Sequence, residues 1–131
     1  MYLIDSDCLI NFLNGQPQAV KVISHLQNHL LYTCIINIGE IMLGLQDPTA
    51  KNKSRKSKFE AFLQTLTVIN IDQPVIEKFI NIKYHLKKRG QLVDNFDLLI
   101  AAACLAHKLI LVTDNHSHFQ NIPNLKLYPN K

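Results

Sequence analysis

The chain has 131 residues, 47% of them apolar, with 14 Lys and Arg against 10 Asp and Glu for a net charge of +4. That length suffices for one core and a single domain over 1–131, and no window nears the roughly 18 to 20 uninterrupted apolar residues of a membrane helix. The N-terminus also lacks the basic-then-apolar pattern of a signal peptide, so the expectation is a soluble, cytoplasmic protein with no membrane partner.

Met1-Tyr2-Leu3-Ile4 is an apolar run closed by the polar turn Asp5-Ser6-Asp7, and reads as a buried strand. Cys8 to Leu13 and Pro17 to His29 follow as two helices broken at Asn14-Gly15, with Pro17 in a first turn. Leu30 to Cys34 reads as a second strand. From Ile35 to Leu45, apolar residues at 35, 38, 41, 42 and 45 have helical spacing, with Glu40 inside the stretch and Asp47-Pro48 stopping it.

Lys51 to Lys58 is a basic run, either a solvated helix start or a surface for phosphates, after which Phe59, Phe62, Leu63 and Leu66 restore helical spacing. Thr67 to Ile71 is β-branched and strand-like, and Asp72 caps a helix running through Pro74 to Lys88. Lys87-Lys88-Arg89-Gly90 ends that helix with positive charge in its last turn and glycine beyond. Asp94 to His107 is the next helix. It feeds a strand at Leu109-Ile110-Leu111-Val112, closed by Thr113-Asp114-Asn115, and Leu125 to Leu127 forms a last short strand. Alternating strands and helices with short joins predict an α/β sandwich around a mainly parallel sheet. Cys8, Cys34 and Cys104 lie in apolar surroundings without metal-like spacing; the odd count suits a reducing compartment, and they read as small buried hydrophobes.

Ligands collect outside the carboxyl ends of parallel strands, so the two acidic strand ends, Asp5 and Asp114, suggest one pocket. Asp97 in the first turn of an apolar helix and Glu40 in another join it as candidates. Each also has a purely structural reading: Asp5 and Asp114 as turn residues, Asp94 as an N-cap, Glu40 as an exposed helix residue. Four converging carboxylates repel unless a cation is present, and an all-oxygen site suits Mg²⁺ or Mn²⁺. Such an ion activates water against a phosphorus atom, which makes phosphodiester hydrolysis the natural chemistry. Asp5, Asp7, Glu40, Asp94, Asp97 and Asp114 all belong to segments around the pocket, leaving four acids elsewhere, so the remaining surface is basic and suited to a polyanion.

Leu3-Ile4-Asp5-Ser6-Asp7, then Ile38-Gly39-Glu40-Ile41-Met42-Leu43-Gly44, then Asp97-Leu98-Leu99-Ile100-Ala101-Ala102, then Val112-Thr113-Asp114-Asn115-His116-Ser117-His118-Phe119 resemble the ordered motifs of PIN-domain ribonucleases. More narrowly they are similar to VapC-type toxins of bacterial toxin–antitoxin modules. The resemblance spans nearly the whole chain and implies a three-layer α/β/α PIN sandwich, Mg²⁺- or Mn²⁺-dependent endonuclease activity on RNA, a homodimer, and neutralisation by a cognate antitoxin. It maps the family's catalytic, metal-holding acids onto Asp5, Glu40, Asp97 and Asp114. Asp5 and Asp97 would be direct ligands, and Glu40 and Asp114 would complete the site directly or through water.

In the fourth motif the acid sits first or second after the threonine, so Asp114 is assigned and Asn115 orients water or substrate. Asp7 stands where many members carry asparagine, a departure that adds charge. Asp94 is an N-cap or outer residue, while Ser6 and Thr113 support ligand and turn geometry. His116 and His118 flank the last motif in packing or supporting roles, and His25, His29, His85 and His107 read as helix-surface residues.

Two rivals stay open. Asp5-Ser6-Asp7 also matches the Asp-x-Asp of haloacid-dehalogenase-type phosphatases, although no convincing later lysine or paired-aspartate motif follows. The other rival is a catalytically silent PIN-like interaction module. An apolar face beside helices 35 to 45 and 59 to 66 could pair two copies, although its periodicity suits core packing equally.

Overall fold

A computed structural model describes residues 1–129; the final two positions of the domain expected over 1–131 lie outside the described residues. Its centre is a four-stranded, wholly parallel sheet in the order β3-β2-β1-β4, built from β1 (Tyr2–Ile4), β2 (Leu31–Cys34), β3 (Thr67–Ile69) and β4 (Ile110–Val112). Seven helices surround it among the described residues: α1 (Ser6–Leu13), α2 (Pro17–Leu26), α3 (Ile35–Gly44), α4 (Ala50–Leu63), α5 (Gln73–Lys88), α6 (Asn95–His107) and α7 (His116–Phe119).

Alternation along the strands divides the core in two. Leu3 and Leu111, paired in register, face a cluster built with Val75, Leu86, Leu98, Ala102 and Phe119, which belongs to α5, α6 and α7. Ile4 and Val112, the next pair, face the other way into Leu9, Ile23, Leu26, Ile41 and Phe59, from α1 to α4. Successive side chains of a strand point to opposite faces, so two apolar residues in each strand supply both layers and the sandwich follows. The expected α/β/α architecture is therefore present, and every cysteine is buried and reduced.

The structure moves several boundaries. Helix α1 begins at Ser6 rather than Cys8, because the Asp5 carboxylate accepts from the Ser6 N–H as its N-cap. Helix α2 ends at Leu26, not His29, and β2 starts one residue late because Leu30 remains exposed. The basic run 51–58 lies inside α4, started by Thr49, whose hydroxyl accepts from the Asn52 N–H. Strand β3 stops at Ile69, and the expected strand at 125–127 is a single bridge from Leu127 to Leu111. Leu109 is spent closing α6, donating its N–H to Cys104 while Lys108 takes the left-handed conformation (φ 56°). Short α7 was not expected; four residues are too few for periodicity to reveal.

The apolar stretches whose spacing suits either a dimer face or the core are mostly core: Ile41, Phe59 and Leu66 are buried, leaving Ile35 and Leu43 exposed. No described helix is long and apolar enough to cross a membrane.

Leu3 is fully buried on an interior strand. Leu3→Ala is expected to cost about 2–5 kcal/mol, read as a lower urea midpoint with an unchanged m-value.

Candidate active site at the strand ends

Asp5 follows directly on β1, where the sheet places it beside β4: its N–H donates to the Val112 carbonyl at 2.9 Å. The carboxylate is almost wholly buried, at 5% exposure, and three donors from three segments converge on it. The Ser6 N–H reaches Oδ1 at 2.9 Å, the Asn37 side-chain amide reaches the same oxygen at 2.9 Å, and the Thr113 hydroxyl reaches Oδ2 at 2.7 Å. Burial nevertheless pushes the Asp5 pKa above its ordinary value; the Thr113 and Ser6 bonds oppose that, and the charges of Asp7 and Glu40 add to it.

Asn37 is fully buried in the first turn of α3 and ties this corner together. Its Oδ1 accepts from the Cys34 N–H, and its Nδ2 donates to both Asp5 and the Ser6 Oγ, each at 2.9 Å. Ser6 in turn donates its hydroxyl proton to Glu40 Oε1 at 2.6 Å. Asp5, Asn37, Ser6 and Glu40 thus form one hydrogen-bonded chain. Sequence reasoning missed Asn37, although its place one turn before Glu40 on α3 was a usable signal.

Asp97 sits in the first turn of α6, where the helix dipole favours an anion, and Asp94 caps that turn by accepting from the Phe96 N–H at 3.0 Å. Burial raises the Asp97 pKa as well; His118, whose Nδ1 lies 3.2 Å from Asp97 Oδ2, lowers it, and the charges of Asp5 and Asp94 raise it. Asp94, Asp97 and His118 line a cleft of about 260 Å³. Larger grooves exist, including one of about 690 Å³ beside α2, but none of the site acids lines that groove.

The fourth motif divides. Thr113, next in register after Val112, supports Asp5 and accepts the Asn115 N–H at 3.0 Å. The Asp114 carboxylate accepts from Asn11 Nδ2 at 2.8 Å instead of joining Asp5, while the Asn115 amide donates to Asp7. Both bonds lash the β4 turn to α1. His116 flanks that turn with a buried, unpartnered Nε2. Cys8, close to Asp114, Asp5 and Asp7, is pushed up to about 12 chiefly by burial and stays an inert thiol.

No group of three or more Asp, Glu, His or Cys among the described residues is gathered tightly enough to encase an ion. The donors at the strand ends are oxygens, with Asp5 and Asp97 close enough to feel each other's charge. That set fits a hard cation that keeps several waters and takes one or two carboxylates, which is the preference of Mg²⁺.

The family model for the PIN domain matches residues 2–125. The ribonuclease VapC2 of Rickettsia felis is 27% identical over 129 residues, covering 97% of this chain and 96% of its own length. The tRNA(fMet)-specific endonuclease VapC of Salmonella typhimurium is 21% identical, covering 96% and 95%. The crystal structure of VapBC2 from Rickettsia felis bound to a promoter DNA fragment superposes with a TM-score of 0.86 at 26% identity, covering 97% of this chain and 96% of that one.

A carboxylate with a raised pKa opposes folding once ionised; its stabilising neutral form is complete below the unfolded pKa and is lost as pH rises through the folded one. Metal-free Asp5→Asn is therefore expected to melt at or above the wild-type temperature at neutral pH, with the gap closing on acidification. Mg²⁺ should raise the wild-type midpoint and leave that of Asp5→Asn unmoved, as followed by calorimetry.

Proposed function

This chain belongs to the PIN-domain family, and from that premise we propose that it is a Mg²⁺- or Mn²⁺-dependent endoribonuclease, the toxin of a toxin–antitoxin pair, that hydrolyses RNA phosphodiester bonds. The observation that carries this reading is the Asp5 carboxylate, buried at the strand ends beside Asp97 and chained through Ser6 to Glu40. Burying a charge there costs stability that its hydrogen bonds offset only in part, and a held cation would offset the rest.

Asp5 and Asp97 would hold the ion, with Glu40 and Asp114 completing the site through water. When bound, it would acidify water and neutralise charge developing on the phosphate. The protein's own groups do the positioning. Ser6, Asn37 and Thr113 lock the Asp5 rotamer, so both oxygens keep their directions while substrate exchanges. His118 does the same for one Asp97 oxygen. The Ser6 proton is held against Glu40, which keeps Oε1 engaged and its other oxygen open to accept a proton from solvent or substrate. No side chain is required as nucleophile, which separates this reading from an aspartyl-phosphate enzyme.

The partners follow from the same reading. The relatives above are named as a ribonuclease and a tRNA(fMet)-specific endonuclease, and a further structural neighbour is a toxin–antitoxin complex from Klebsiella pneumoniae; a cognate antitoxin and an RNA substrate are proposed for this chain on that basis, with a cytoplasmic location. Two copies are proposed to pair, and the exposed apolar residues Ile76, Ile80 and Tyr84, one turn apart on α5, are the surface that replaces the α3–α4 face suggested by the sequence.

Purified protein should cut single-stranded RNA with Mg²⁺ or Mn²⁺ and stop with EDTA. Asp5→Asn and Asp97→Asn should abolish cleavage, and Asp114→Asn should be markedly milder. Cleavage that survives chelation, or a trapped phosphoaspartate, would refute the mechanism, and tight partner binding without cleavage would favour the silent module. Asn37→Ala is expected to lower activity about 10–100-fold through misplacement of Asp5, with added Mn²⁺ restoring part of it.

A further inference from the structure

Helix α5 and its C-cap carry Lys78, Asn81, His85 and Arg89 at steps of three and four, hence on one face. They line a cleft of about 370 Å³ floored by Ile82 and Leu105 and closed on its far side by Pro123 and Asn124, where the Asn124 backbone turns with φ 66°. No acid lines it. Of the other charges of α5, Lys83 donates to Asn95 Oδ1 at 2.8 Å, Lys88 lies 4.7 Å over the Tyr84 ring, and Glu77 accepts from Gln73, while Lys87 lies outside the cleft lining. The ion pair among the described residues is His118 with Asp97, so Lys78 and Arg89 share a concavity without a counter-charge. Cationic donors lining an acid-free concavity give it a positive potential that suits an anion.

The cleft is joined to the carboxylate site by both of its walls. On one side the chain passes from Arg89 through Gly90 to Leu92, Val93 and Asp94, which line the Asp97 cleft. On the other, the segment after α7 gives Asn121 to the Asp97 cleft and then Pro123 and Asn124 to this one. We propose that the α5 cleft is a phosphate subsite that grips the RNA strand where it runs on from the Asp5–Asp97 site. The proposal rests on the RNA-cleaving reading above.

The lining chemistry selects phosphate over base. Arg89 offers a planar fork to phosphate oxygens, Lys78 a point charge, and Asn81 and Asn124 neutral donors, whereas no Phe, Tyr or Trp faces the cleft for stacking. An acidic peptide would satisfy the same cations. A strand continuing into a carboxylate-lined cleft suits RNA better, because its phosphates arrive there with cations and a peptide's carboxylates would meet Asp94 and Asp97 directly.

The test compares wild type with Lys78→Glu/Arg89→Glu and the milder Lys78→Gln/Arg89→Gln; both positions are exposed, and folding is checked by circular dichroism. Binding of fluorescein-labelled single-stranded RNA is read by anisotropy in EDTA against salt, so it does not depend on cleavage. Turnover of bis(p-nitrophenyl) phosphate, too small to reach the cleft, is read with Mn²⁺. Expected for charge reversal is a roughly tenfold loss of RNA affinity, a salt slope shallower by about 0.7 for each phosphate contact removed, and unchanged turnover of the small diester; the Gln pair should fall between. Unchanged RNA affinity and slope would overturn the proposal, as would equal losses on both substrates. RNA affinity kept while binding of polyglutamate is lost would also overturn it, in favour of an acidic protein partner. A wild type that binds RNA in this cleft but never cuts it refutes the nuclease reading and leaves the subsite standing.

Discussion

Much of this molecule is arranged around one ionisable group out of water. Asp5 ends an interior parallel strand, and parallel sheets are covered on both faces, so its carboxylate cannot simply turn to solvent. The donors that satisfy it come from α1, α3 and the turn after β4, segments more than a hundred residues apart at their extremes. Each of those segments is consequently held in a definite position: α1 must start at Ser6, α3 must present Asn37 inward, and β4 must end so that Thr113 is level with Asp5. The bonds from Asn11 to Asp114 and from Asn115 to Asp7 repeat the lashing on the exposed side.

That arrangement also sorts charge. Acids collect where strands end and helices begin, positions at which backbone N–H groups and the helix dipole make a carboxylate cheapest to place. Most of the lysine and arginine, nine of 14, is carried by α4 and α5. A negative centre in a basic surface is the arrangement required to draw in a polyanion and, with it, the cations that let it approach. On α5 the positive face is folded into a cleft whose walls continue to the carboxylates, so substrate capture and cleavage become properties of one surface.

The legible parts of the sequence were those governed by local periodicity and strand-end chemistry. Apolar runs ending in Asp5 and in Thr113-Asp114 marked β1 and β4, Asp72 and Asp94 marked helix starts, and the four ordered motifs marked the family, its sandwich and the carboxylates worth examining. Those features depend on neighbours within a few residues, so a sequence can carry them. What no local pattern carries is which oxygen meets which donor across the sheet. Register alone put Thr113 rather than Asp114 against Asp5, turned Asp114 to Asn11, made buried Asn37 the connecting residue, and assigned to the core most of the apolar spacing of α3 and α4 that periodicity leaves open between core and surface. Composition and order determined the fold and the chemistry at issue; long-range packing, through burial and pairing that exist only once the strands are side by side, decided the geometry that performs it.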